Sequence, residues 1–202
     1  THGEPGLEKA FTTSCNHFFG QVGLLMGTES LEKAAEAMAF NADLKLDRLS
    51  VATSICDIGH EDDAAVTWAA IGQPGGMDRV SVTPLHLAMI ASAIGNNGVM
   101  RQPYVVKATR TPTGEVNKLV RNEAAIAILD RQVSDKLSGM MRAVVTDGTG
   151  KKANIKGVDI CGKTGTANVE DEDGTVRTNN LFAGFIADES TPFAIGVVLE
   201  DS

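Results

Sequence analysis

The chain reads as an α+β protein, mostly helical over residues 1–150 and strand-rich over 151–202. Three observations predict this. Apolar residues recur at helical spacing behind a Thr-Pro start signal near the middle of the chain. A second helical stripe stops at Asp147-Gly148-Thr149-Gly150. Beyond it the pattern changes to short β-type runs, and helices followed by consecutive antiparallel strands build a layered α+β architecture.

In order along the chain, Thr28 or Ser30 is expected to cap a helix with Leu31, Ala34, Ala35 and Met38 on one face. Thr83-Pro84 gives a cap followed by proline at the first helical position. Leu87, Ile90, Ala91 and Ile94 then fall at i, i+3, i+4 and i+7, with Gly95 or Gly98 available to end the helix. Leu137, Met140, Met141 and Val144 mark a third helix. Strands are expected over 158–167, 181–187 and 193–199, the last two joined by the turn residues Asp188 to Pro192. Residues 168–178 are acidic and contain a glycine, and are expected to form an exposed connection.

At 202 residues, one domain is expected, with core enough to fold without a metal or disulfide staple. Eighteen Lys and Arg against 26 Asp and Glu give a net charge of −8, which argues against a nucleic-acid binder. A hydrophobic content of 43% with 22% charged residues excludes disorder. No apolar run is long enough to span a bilayer, and the start lacks both an initiator Met and a signal-peptide pattern, as expected of a fragment or a processed chain. Cys15, Cys56 and Cys161 lack metal-ligand spacing and allow at most one disulfide, and no cofactor or metal is expected.

The densest chemistry lies in Cys161-Gly162-Lys163-Thr164-Gly165-Thr166-Ala167. A glycine inside a strand often marks close approach of a ligand or another backbone. Lys163 is a point charge suited to an anionic group, and Thr164 and Thr166 offer hydroxyl donors to a carboxylate. The plain structural alternative is a solvated edge strand with an incidental Lys-Thr-Gly. Far upstream, Ser14-Cys15-Asn16 reads by itself as a turn or helix cap. Together the two match two of the three signatures of penicilloyl-serine enzymes.

On these motifs the sequence resembles the transpeptidase domain of penicillin-binding proteins, most like the monofunctional class B members. Ala70-Ile71-Gly72-Gln73, Val82 to Ala88, Asn96-Asn97-Gly98 with Pro103, Val144-Val145 through Gly150, and Asn180 to Phe185 follow in the family's order. The resemblance implies a penicillin-binding-protein/serine β-lactamase-like fold, an antiparallel sheet with a helical layer, incomplete over residues 1–202. The family's Ser-x-x-Lys nucleophile motif should precede Ser14. Here only Ser30-Leu31-Glu32-Lys33 fits the pattern, after Ser14 and at a helix start, so Ser30 reads as a helix residue and Lys33 as its solvated neighbour. The nucleophile, the first sheet strands and the C-terminal helix are expected in sequence outside this chain.

The resemblance implies the following roles. Ser14 relays a proton, Asn16 holds the substrate amide and the missing lysine, and Lys163 makes the carboxylate end of the cleft positive and orients Ser14. Thr164 and Thr166 bind the carboxylate, Gly165 lets the substrate backbone lie flat, and the Thr166 N–H is one of two oxyanion donors. The implied partners are peptidoglycan stem peptides ending in D-Ala-D-Ala, β-lactams, the missing N-terminal part and elongation or division proteins, at the extracytoplasmic membrane face. This chain by itself is expected to be inactive. Two other readings stand beside this one, a D,D-carboxypeptidase or β-lactamase and a non-catalytic penicillin-binding sensor. A class A β-lactamase is disfavoured because no Glu is followed four residues on by Asn.

Other residues read as structure. His2, His17, His60 and His86 are expected as surface or packing histidines, Trp68 and Tyr104 as core or rim, and 170–173 as a solvated acidic run. Met77 and Asp78 follow a Pro-Gly-Gly loop of no legible purpose.

Overall fold

The computed structural model describes residues 5–47, 49–59, 62–73, 80–119, 125–170 and 173–200. His2, His60, Met77, Asp78, Asp171 and Glu172 lie outside them. Six α-helices are described: α1 (Leu7–Thr12), α2 (Asn16–Met26), α3 (Thr28–Ala37), α4 (Asp63–Ala70), α5 (Pro84–Gly95) and α6 (Arg131–Thr146). Eight short strands lie between them, β1 (Lys45–Leu46), β2 (Leu49–Ser50), β3 (Ile55–Cys56), β4 (Val80–Ser81), β5 (Val99–Arg101), β6 (Ala108–Arg110), β7 (Val116–Leu119) and β8 (Ala125–Ala127). They pair as four two-stranded ladders that the helical periodicity did not announce. The strand-rich end holds β9 (Ile160–Glu170), β10 (Val176–Ile186) and β11 (Ala194–Leu199), an antiparallel sheet in the order β11-β10-β9.

Helix α5 begins as its sequence requires. Thr83 is extended and its hydroxyl accepts the His86 N–H at 3.2 Å, with Pro84 in the first turn. Its apolar face supplies Ala91 and Ile94 to a core with Met141 of α6, Cys161 of β9 and Phe185 of β10. Burying the Ile94, Met141 and Phe185 side chains contributes roughly 1.5–3 kcal/mol each. Asp130 caps α6 by accepting from Gln132 N at 2.7 Å, and the buried Ser134 hydroxyl donates to the Ile94 carbonyl at 2.6 Å, locking α6 to the end of α5. At Gly196 an added Cβ would stand 2.3 Å from the Pro84 carbonyl oxygen, so glycine there lets β11 press onto the start of α5.

A second core joins Met89, Ala93, Met100 and Ile128, with Met38 against it; a third holds Cys56, Ile58 and Val66 under Leu31 and Ala35 of α3. His86 is fully buried between these layers: its Nε2 bonds the Met38 carbonyl at 2.8 Å, while Nδ1 has no partner among the described residues. Burial pushes its pKa down, so it is a neutral packing histidine. Trp68 and Tyr104 are 48% and 45% exposed and so belong to the rim. All three cysteines are buried and free. Among the described residues no helix is long and apolar enough to cross a membrane.

Two expectations shift. Helix α3 starts at Thr28 behind Gly27, with Ser30 inside its first turn, so neither Thr28 nor Ser30 is the cap. The expected connection over 168–178 is largely sheet, because β9 and β10 pair out to Glu170↔Val176. Side-chain bonds across the ladder, Thr166 to Asn180 and Thr178 to Asn168 at 3.3 Å each, carry the hairpin beyond the apolar residues. The turn itself is polar, with the Asp173 carboxylate accepting from Thr175 N at 2.9 Å.

Candidate active site

Ser14 sits at the junction of α1 and α2 in a left-handed conformation, φ 53°. The local bonds explain it. Cys15 N–H bonds the Ala10 carbonyl at 2.9 Å and Ser14 N–H the Phe11 carbonyl at 3.2 Å, the two bonds that end a helix through a left-handed residue. Glycine usually takes that position, and a serine there accepts backbone strain. The chain turns at Ser14 and enters α2 at Asn16, which is exposed and makes no side-chain hydrogen bond among the described residues.

Lys163, from β9, reaches Ser14. Its Nζ donates to Ser14 Oγ at 2.8 Å and to the Thr164 carbonyl at 2.8 Å, and lies 5.7 Å from the centre of the Phe11 ring. A hydroxyl, a carbonyl and an aromatic face leave the positive charge unneutralised by these partners. Burial lowers the Lys163 pKa from its ordinary value near 10.5. Because the ammonium only donates, Ser14 accepts from it and keeps its own O–H free to point elsewhere.

The turn after α6 ties these parts together. Gly148 lies against the end of α1, where an added Cβ would stand 2.2 Å from the Thr12 carbonyl oxygen, and Thr149 N–H donates to that carbonyl at 3.3 Å. The Thr149 hydroxyl meets the Thr164 hydroxyl at 2.6 Å. One tight turn therefore touches both the helix that delivers Ser14 and the strand that delivers Lys163.

Strand β9 is an outer strand, and side chains occupy its open edge. Arg142 Nη1 donates to the Ile160 carbonyl at 3.0 Å, Lys163 to the Thr164 carbonyl, and Gln73 Nε2 to the Thr166 carbonyl at 2.6 Å. Asn168 N–H donates to Gln73 Oε1 at 3.2 Å. In an antiparallel strand one residue's N–H and C=O face the same side, so residues 160, 164, 166 and 168 face away from β10. The Thr166 N–H therefore faces the open edge as well.

The structure thus brings Ser14, Lys163, Thr164, Gly165 and Thr166 to one cleft edge, and leaves Asn16 close by on the first turn of α2. Ser30 and Lys33 lie apart on α3, where Lys33 pairs with Glu29 at 2.6 Å and both are well exposed. Phe11, Thr149 and Gln73 belong to the cleft and were missed as site residues. Thr149 and Gln73 stood in the recognised blocks, but no periodicity marks a threonine or glutamine that acts through one long-range bond. Among the described residues no group of His, Cys, Asp and Glu could hold a metal.

A serine held by a partly buried lysine sits beside an open strand edge, so one positive charge and a row of outward-facing backbone groups share the cleft edge. The chain belongs to the penicillin-binding protein transpeptidase domain family, whose model matches residues 1–202. It is 30% identical over 195 residues to the peptidoglycan D,D-transpeptidase PbpA of Mycolicibacterium smegmatis, covering 96% of this chain and 38% of that protein. Stage V sporulation protein D of Bacillus subtilis is 30% identical over 192 residues, covering 92% of this chain and 28% of that protein. The D,D-transpeptidase domain of an Eggerthella lenta peptidoglycan glycosyltransferase superposes with a TM-score of 0.87 at 30% identity, over all of this chain and 50% of that one. Penicillin-binding protein A of M. tuberculosis, as a penicillin G acyl-enzyme, matches with a TM-score of 0.81 at 28% identity, over 99% of this chain and 44% of that one. The chain spans well under half the length of the two curated relatives named here.

Proposed function

We propose that this chain forms part of a peptidoglycan D,D-transpeptidase cleft, which cross-links stem peptides through an acyl-serine intermediate and is acylated by β-lactams. The observation that carries this reading is the 2.8 Å bond from Lys163 Nζ to Ser14 Oγ on the open edge of β9. The nucleophilic serine lies outside these residues, and the chain by itself is inactive.

The roles are those the resemblance implies, and the geometry supports several of them. The terminal carboxylate of a D-Ala-D-Ala stem binds against the Thr164 and Thr166 hydroxyls in the positive field of Lys163. The serine attacks the penultimate D-Ala carbonyl, and the developing oxyanion takes the outward-facing Thr166 N–H, a type of donor worth about 3–4 kcal/mol in the transition state. Ser14 accepts from Lys163 and passes a proton toward the leaving nitrogen with its free O–H. Asn16 holds the substrate amide. At Gly165 an added Cβ would make only ordinary contact, 3.4 Å from Leu181 Cβ, so internal packing does not demand glycine and the approach of a substrate backbone accounts for it. An amine from a second stem then resolves the acyl-enzyme. Such substrates place the site on the extracytoplasmic face of the membrane.

Fluorescent penicillin applied to the whole protein and to residues 1–202 alone tests this. Labelling of the whole protein, lost in Lys163→Ala and absent from the isolated chain, is expected. Label on Ser14 or Ser30 would overturn the assignment of roles. Acyl-enzyme turnover by water at the same rate with and without an acceptor amine would replace transpeptidation with carboxypeptidation or β-lactam hydrolysis.

A further inference from the structure

Phe11 closes a triangle with Ser14 and Lys163. Its carbonyl accepts the Ser14 N–H at 3.2 Å, Ser14 Oγ accepts from Lys163 Nζ at 2.8 Å, and Nζ lies over the Phe11 ring, 5.7 Å from its centre. Other side chains fix that ring. Phe19 of α2 meets it edge to face, with centres 6.3 Å apart and planes at 74°, and Phe18 meets Phe19 in the same way at 5.4 Å. Phe11 also packs against the core of Ala91, Ile94, Met141, Cys161 and Phe185. The ring is thus held by the helical layer while its face receives a charge from β9.

A ring face within about 6 Å attracts an ammonium through its quadrupole, and more strongly where water is partly excluded. Lys163 is partly buried, and burial works against its charged form. A carboxylate in the ring's place would hold the ammonium harder. It would also neutralise the charge and compete with any anionic ligand. The ring face, the Ser14 hydroxyl and the Thr164 carbonyl hold the ammonium without cancelling it. We infer that Phe11 is a positioning residue for Lys163: its ring face stands in for an anionic partner, keeping the ammonium on Ser14 and its charge available to the ligand's carboxylate. This rests on the reading of the cleft given above. An aliphatic side chain could fill the same space in the core but not this role.

Fluorine on the ring drains negative charge from its face and hardly changes its shape. Phenylalanine, 4-fluorophenylalanine and 3,4,5-trifluorophenylalanine are placed at position 11 of the whole protein, once with Lys163 and once with Lys163→Met. Melting temperature and the acylation rate at subsaturating penicillin G are measured for each. With Lys163 present both are expected to fall stepwise with fluorine, the acylation rate by about threefold for the trifluoro ring. With Lys163→Met neither should follow the series, because the ring then faces no charge. That background also subtracts any effect of fluorine on packing. Melting temperatures that change alike in both backgrounds, or in neither, would overturn the contact. A fall in melting temperature confined to Lys163, beside an unchanged acylation rate, would overturn the role in the cleft. If penicillin G acylates none of these proteins, the reading of the cleft fails and Phe11's part in it fails too, whatever the melts show.

Discussion

The hydroxyls of Thr149 and Thr164 meet at 2.6 Å, a contact between the turn that closes α6 and the strand that carries Lys163. Under the proposed function Thr149 is a positioning residue: it sets the rotamer of the Thr164 hydroxyl to which carboxylate binding is assigned. Thr149→Val keeps the shape and removes the hydrogen bond. It is expected to lower acylation efficiency about fivefold, through weaker binding rather than a slower chemical step. Thr149→Ser should restore most of it. Equal losses in both variants would make the methyl packing, and not the hydroxyl, the important part.

Lys163→Met tests whether stability and activity pull apart at one residue. A partly buried ammonium without an anionic partner among its contacts is a net burden on the fold, so the apolar variant should melt no lower than the wild type near neutral pH. Penicillin acylation should fall at least about a hundredfold. The proton balance gives a second check. The folded pKa lies below the ordinary 10.5, so the unfolded chain binds more protons in between, and stability rises with pH across that window. Activity goes the other way, with carboxylate binding lost below the usual lysine range as the ammonium deprotonates. A pH–rate profile that holds to the ordinary lysine pKa would contradict this.

Ser14 separates backbone from side chain. Ser14→Gly removes the left-handed strain and should raise stability relative to Ser14→Ala by about 1 kcal/mol, since alanine keeps the strain and loses the hydroxyl. Both should abolish efficient acylation. Thermal melts of the pair decide this, and an alanine variant as stable as the glycine one would place the strain elsewhere.

His86 sets an acid limit on the fold. Its pKa is held below the ordinary 6.5, so the unfolded chain gains a proton first as pH falls. The stability it contributes is complete above pH 6.5 and is lost as pH falls toward its folded pKa, at up to about 1.4 kcal/mol per pH unit. His86→Gln should flatten the dependence of the melting temperature on pH between roughly 5 and 7. An unchanged slope would assign acid sensitivity to carboxylates.

The parts of this fold that were legible in the sequence are those whose partners are close in the chain. The Thr83-Pro84 start, the stripe from Leu87 to Ile94 and the stop at Asp147 to Gly150 each state a local rule, and each holds. The short ladders between Lys45 and Ala127 escaped because strands of two to four residues carry too few alternations to read. The polar end of the β9–β10 hairpin escaped because cross-strand Thr–Asn bonds look like a loop when read along one strand. Ser14 and Lys163 were paired through resemblance, while Gln73 and Thr149 act through distant backbone or hydroxyl groups that no local pattern announces.

Ser14 and Lys163 are separated by 149 positions, and no part of the cleft edge exists until that span has closed. Contacts of such sequence separation are slow to form, since chain entropy is lost before they return anything. The helices can be present, and visible to circular dichroism, before β9 has docked against α1. Under the proposed function, penicillin reactivity of the whole protein is then a clock for the final stage of folding, and after damage or synthesis it should lag behind the recovery of helical signal.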